Sequence, residues 1–115
     1  MYNTKELLEK KEINGLELEY LLSERKNHRA DFLLIDVREE YEYNEKRIKG
    51  VDFLIPLSDF FNKVQKIEGC KSKYIITTCK LGGRSATSQL QLNSLGFKRV
   101  INLSGGITYF KGDII

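Results

Sequence analysis

The sequence predicts an α/β domain built on a parallel sheet. Three observations carry that prediction. Short apolar or β-branched runs alternate with segments of helical spacing, the order of a chain that winds strand, helix, strand. Phe32-Leu33-Leu34-Ile35 is continuously apolar and ends at Asp36, the pattern of a strand covered on both faces. Tyr74-Ile75-Ile76-Thr77-Thr78 is the strongest strand signal, because aromatic and β-branched side chains suit a pleated, half-buried surface.

The elements come in this order along the chain. Thr4 to Lys11 is charged around Leu7 and Leu8 and reads as a short, marginal helix, so residues 1–12 form an N-terminal extension ahead of a domain over 13–115. Asn14-Gly15 marks a turn. Leu16 to Lys26 reads as a helix with an untidy apolar stripe. Beyond the strand at Phe32, Glu39 to Lys46 is polar and forms a short helix or a loop. Asp52 to Ile55 is a second strand, stopped by Pro56. Leu57, Phe60, Phe61 and Val64 then sit at helical spacing, with Ser58 as N-cap and Ile67 extending the same face. After the strand at Tyr74, Ser85 to Leu95 reads as a helix. Gly96 is its left-handed stop, with Leu92 and Phe97 in the two positions that pack together in that motif. Arg99 to Leu103 is the last strand, and Gly105-Gly106 opens a turn and a short helix.

Composition bounds the answer. A chain of 115 residues, 41% hydrophobic and 30% charged, is one ordinary folded domain and is too short for two independent cores. A net charge of +3 helps anions approach but is far from the basic excess of a nucleic-acid binder. The longest apolar runs, Phe32 to Ile35 and Phe53 to Leu57, fall short of the ~20 residues that cross a membrane. The opening Met1-Tyr2-Asn3-Thr4-Lys5-Glu6 lacks the apolar core of a secretory signal. The expectation is therefore a cytoplasmic protein whose two cysteines are free thiols, with no membrane and no nucleic-acid partner.

The chemistry concentrates in Thr77-Thr78-Cys79-Lys80-Leu81-Gly82-Gly83-Arg84-Ser85. Cys79 follows a buried strand, and ligand sites of open α/β sheets lie outside the carboxyl ends of the strands. Gly82 and Gly83 permit backbone angles closed to other residues, so successive N–H groups can turn inward around an anion. The next helix aims its positive end at the same spot, and Lys80 and Arg84 add formal charge. Together these favour a thiolate. A free cysteine of pKa near 8.5 is only ~3% thiolate at pH 7, whereas a pKa of roughly 6.5 would make it ~75% thiolate. Cys79 is thus the candidate nucleophile. Cys70 sits in a loop with no glycine nest and reads as inert. Cys70, Cys79 and the lone His28 do not make a zinc site, and no metal or other cofactor is expected.

With these residues in place, the chain resembles a single-domain rhodanese, a sulfurtransferase family that carries a persulfide on cysteine. The resemblance covers roughly Ile13 to Phe110. Its blocks are Leu34-Ile35-Asp36-Val37-Arg38 with Glu42-Tyr43, then Gly50 through Ile55-Pro56-Leu57, then the Cys-x-x-Gly-x-Arg-Ser loop from Cys79 to Ser85. Leu95-Gly96-Phe97, Val100 and Leu103-Ser104-Gly105-Gly106-Ile107 close it. It implies a three-layer domain, a parallel sheet of about five strands flanked by helices. It implies sulfur transfer from thiosulfate or a persulfide donor through a Cys79 persulfide, with Lys80 through Ser85 as the cradle and Asp36 and Arg38 either bracing it or forming a surface ion pair. The implied partners are a small sulfur anion such as thiosulfate, or a protein persulfide donor or thiol acceptor. Four residues separate Cys79 from Arg84, where phosphatases and arsenate reductases of this fold place five. The alternative from another class is a non-catalytic binding or redox-sensing module. The chain departs from the family pattern in three places. Lys46-Arg47 stands where Gly-His is usual, Thr78 where an aromatic often precedes the cysteine, and Tyr109-Phe110 where a Trp is common.

Overall fold

The structure, a computed structural model, describes residues 1–115. Five strands form one sheet: β1 (Glu12–Ile13), β2 (Leu33–Asp36), β3 (Phe53–Leu54), β4 (Ile75–Thr78) and β5 (Val100–Leu103). Their order is β1-β5-β4-β2-β3 and every pairing is parallel, as the apolar runs predict. β4 lies at the centre, with Thr77 level with Ile35 on one side and with Asn102 on the other.

Alternation along the strands fills both faces. Leu34, Ile76, Ile101 and Leu103 face one core with Leu7, Leu8, Leu18, Leu21 and Ile107. Ile35, Ile75 and Val100 face the other with Phe60, Val64, Ile67, Leu92 and Phe97. Helices α1 (Thr4–Leu8), α2 (Gly15–Lys26) and α6 (Gly106–Tyr109) supply the first layer. Helices α4 (Phe60–Lys63) and α5 (Gly83–Ser94) supply the second, while α3 (Glu40–Glu45) buries no residue fully. No helix is long and apolar enough to cross a membrane.

Several elements differ from the sequence reading for identifiable reasons. β1 is too short for an alternating pattern and exists because Glu12 and Ile13 pair with Asn102 and Leu103. Asn14-Gly15 starts α2 rather than turning the chain. The Asn14 side chain accepts from the Glu17 N–H at 2.9 Å, and the Glu17 carboxylate accepts from the Asn14 N–H at 2.8 Å, a reciprocal cap. The helix expected after Pro56 is broken into a 3-10 turn (Leu57–Asp59), α4 and a second 3-10 stretch (Val64–Cys70) that kinks at Ile67. Ser58 does not cap it; its hydroxyl donates to the Glu39 carboxylate at 2.8 Å. At the end of α5, Gly96 has φ 98°, and the Phe97 N–H reaches the Leu92 carbonyl at 3.0 Å, so the predicted left-handed stop is present. Helix α5 itself begins at Gly83, two residues before the predicted start.

Candidate active site

Cys79 is the first residue past β4, at the carboxyl end of the central strand, and is only 1% exposed. Helix α6 shapes the loop beyond it. The N–H of Ile107 takes up the Cys79 carbonyl at 2.9 Å and that of Thr108 the Lys80 carbonyl at 3.1 Å. This contact demands Gly106, whose φ is 56° and whose absent Cβ would stand 2.5 Å from both carbonyl oxygens.

With those carbonyls held, the far side of the loop presents donors to the sulfur. The Gly82 N–H points at Cys79 Sγ over 3.0 Å, and the Ser85 hydroxyl lies 3.4 Å from it. Gly82 adopts φ 111°, a conformation that only glycine takes without strain. Gly83 has no positive φ and its Cβ position is open, so of the predicted glycine pair only Gly82 serves the turn. Burial pushes the Cys79 thiol up, but the Ser85 hydroxyl and the N–H groups of Ser85, Gly82 and Leu81 outweigh it, and the net direction is down.

Ser85 carries one hydroxyl hydrogen and has two acceptors in reach, Cys79 Sγ and the Gly82 carbonyl at 3.2 Å. A thiolate draws that hydrogen to itself. The backbone of Ser85 is pinned, because Thr77 Oγ1 and Ser88 Oγ donate to its carbonyl at 3.1 and 2.8 Å. Asn102 Nδ2 reaches the Gly82 carbonyl at 3.4 Å from β5. Thr77, Ser88 and Asn102 were not among the predicted site residues. The available signal was a polar residue inside each of two strands, and a serine one helical turn after Ser85.

The charges are arranged differently from the sequence expectation. Arg84 does not lend its charge freely to the sulfur. Both its Nη atoms donate to the Glu42 carboxylate, at 2.7 and 2.9 Å. That two-point contact holds the Glu42 carboxyl down at about 2 and raises Arg84. Lys80, Leu81 and Gly83 are exposed, with Leu81 58% exposed at the loop tip.

Asp36 and Arg38 are not a surface ion pair. Both are buried, with Arg38 Nη2 2.8 Å from Asp36 Oδ2 and Nε 3.1 Å from each carboxylate oxygen. The same guanidinium donates to the main-chain carbonyls of Lys46 at 2.7 Å and Glu42 at 3.5 Å. The pair therefore fastens α3, and α3 presents Glu42 to Arg84. The Lys46-Arg47 departure lies here too: Lys46 offers its carbonyl to Arg38, and Arg47 stacks over the Tyr43 ring at 4.4 Å. Cys70 is half-buried at the end of the second 3-10 stretch, and His28 is exposed with φ 60°. No three His, Cys, Asp or Glu side chains come together as metal ligands.

Comparison with known proteins identifies the family and the fold. The sequence model of the rhodanese-like domain matches residues 17–113. A tRNA uridine(34) hydroxylase of Acinetobacter baumannii is 36% identical in an alignment of 84 residues that covers 69% of this chain and 26% of that protein. A putative sulfur carrier protein, YrkF of Bacillus subtilis, is 34% identical over 79 residues, 69% of this chain and 41% of that one. The chain thus spans less than half of the curated relatives it matches. Among solved structures, a rhodanese-like domain protein from Staphylococcus aureus superposes with a TM-score of 0.75 at 24% identity, covering 90% of this chain and 93% of that one. A rhodanese-related protein from Thermoplasma volcanium superposes equally, at 0.75 and 24% identity, over 92% and 98% of the two chains.

Proposed function

The chain belongs to the rhodanese-like domain family, and from that premise we propose that it is a sulfurtransferase whose Cys79 carries sulfane sulfur as a persulfide. The observation that carries the reading is the buried Cys79 sulfur held by the Gly82 N–H and the Ser85 hydroxyl at the head of α5. Such a cradle holds a sulfur anion before and after it gains a second sulfur.

In the first half-reaction the Cys79 thiolate attacks the outer sulfur of thiosulfate. The new S–S bond forms as the sulfur–sulfur bond of thiosulfate breaks, and sulfite leaves with the electron pair. The product is a Cys79 persulfide anion, longer by one S–S bond of ~2.0 Å, so the reacting sulfur stands beyond the buried Cys79 Sγ. Backbone N–H groups of Leu81, Gly82 and Ser85 oppose the negative charge in both states. In the second half-reaction cyanide, or a thiolate, attacks the terminal sulfur. The S–S bond of the persulfide breaks, and Cys79 departs as thiolate. No net oxidation occurs at the enzyme, and no metal or organic cofactor enters the cycle.

The sulfur carrier name of the Bacillus relative favours a protein thiol as the acceptor in place of cyanide. The four-residue spacing between Cys79 and Arg84 favours sulfur over phosphoryl transfer. A substrate scan tests the reading. Thiosulfate with cyanide should turn over and stop with Cys79→Ser, while aryl phosphate and arsenate should not react. Phosphate or arsenate turnover, or thiosulfate turnover that survives Cys79→Ser, would overturn it.

A further inference from the structure

The loop's arginine does not stand open to the sulfur. Arg84 gives both Nη atoms to one carboxylate, and that carboxylate is no mobile surface group. The Glu42 side chain is 15% exposed, and its Oε1 also accepts the Glu39 N–H at 2.9 Å. Its main-chain carbonyl and that of Lys46 hang on Arg38, which is buried with Asp36 at the end of β2. Arg84 is 34% exposed, so its outer face meets the solvent through which substrates arrive.

We infer that Glu42 is a positioning and specificity residue: it holds Arg84 in a closed two-bond ion pair, so that the hydrogen bonds to the resting Cys79 sulfur come from loop N–H and O–H groups and the loop offers no unpaired guanidinium to a free dianion. The charged groups around the pair are Arg38, Glu39 at the N-cap of α3, and Cys79. With Glu42 present, Arg84 and its partner sum to zero, and the exposed Lys80 is the unpaired cation of the loop. The arrangement suits a donor that brings its sulfur on a larger carrier better than a free sulfur dianion. The kinetic consequence rests on the sulfurtransferase reading; the thiol consequence does not.

The test uses the full chain with Cys70→Ser, so that Cys79 is the one thiol, and compares it with Glu42→Gln and with Glu42→Gln combined with Arg84→Gln. The apparent pKa of Cys79 is read from iodoacetamide alkylation against pH. Glu42→Gln should lower it by roughly 0.5 to 1 by opening the Arg84 charge, and the double variant should return it close to the parent value. Glu42→Gln should also lower the thiosulfate KM about threefold to tenfold with a smaller change in kcat. An unchanged or raised pKa in Glu42→Gln, or a double variant well above the parent, would overturn the inference. If Glu42→Gln does not fold, the double variant, which leaves no charge unpaired, decides alone by the same criterion. A parent protein that takes sulfur from neither thiosulfate nor a persulfide donor would count against the sulfurtransferase reading, and the alkylation result would still decide the role of Glu42.

Discussion

The N–H of Gly82 points at the Sγ of Cys79 across 3.0 Å, and Gly82 does so from a φ of 111°. A Cβ at Gly82 would meet Gly105 N at 3.4 Å and the Leu103 carbonyl at 3.5 Å, both ordinary contacts. Gly82→Ala should therefore fold, lose about 1–2 kcal/mol through backbone strain, and raise the pKa of Cys79 as the N–H swings away. Denaturant titration and alkylation against pH check the two parts. Gly106→Ala, which drives a Cβ into the Cys79 and Lys80 carbonyls, should be the more damaging of the two.

The Ser85 hydroxyl is the foremost donor lowering the Cys79 pKa. Ser85→Ala should raise it, so that alkylation at pH 7 slows while the rate at high pH stays close to that of the parent. The stability linkage has a fixed sign. A thiol whose folded pKa is depressed adds stability that is fully present above its unfolded pKa and is lost as pH falls through the folded one. Cys79→Ser should remove that part of the pH dependence of unfolding, which denaturant titrations across pH 6 to pH 9 (roughly the range of a shifted thiol) would reveal.

Glu42 gives the same relation in acid. Its carboxyl is held down at about 2 by Arg84, so the pair stabilises the fold above the unfolded carboxyl value, and that stabilisation is lost as pH falls towards 2. Glu42→Gln should lose about 1 kcal/mol at neutral pH, a figure reduced because solvent screens the partly exposed Arg84. Its unfolding free energy should then change less than that of the parent between neutral pH and pH 2, measured in urea.

Leu7 and Leu8 lie in the same core as Leu18 and Leu34, and Ile13 beside them pairs with β5. Leu7→Ala should cost about 2–4 kcal/mol by denaturant titration, the range for a leucine truncated in a packed core. A change under about 0.5 kcal/mol, the scale of a surface substitution, would mean that the first helix is only an appendage.

Much of this was legible in the sequence, where the signal is local. Phe32 to Ile35 announces a strand covered on both faces, Tyr74 to Thr78 announces a strand, and Leu92-Gly96-Phe97 announces the end of α5. Cys79, Gly82 and Ser85 fall within seven consecutive residues, so the loop could be read as a unit. What the sequence concealed depends on distant partners. Glu42 and Arg84 are 42 positions apart, and nothing in either neighbourhood says that they pair. Lys80 and Arg84 look alike as cations in the loop, yet one is exposed and the other is neutralised. Thr77 and Asn102 look like strand residues because they are, and their contacts to Ser85 and Gly82 arise only when β4 and β5 lie side by side. β1 was invisible because two residues carry no period.

The central claim is that Cys79 carries sulfur through a persulfide, and intact mass tests it most directly. The purified protein should gain about 32 Da, one sulfur atom, on incubation with thiosulfate or a persulfide donor, and lose it again on addition of cyanide. The gain should be absent in Cys79→Ser. A protein that gains no mass from either donor while Cys79 remains alkylatable, or one that gains it equally in Cys79→Ser, would contradict the account.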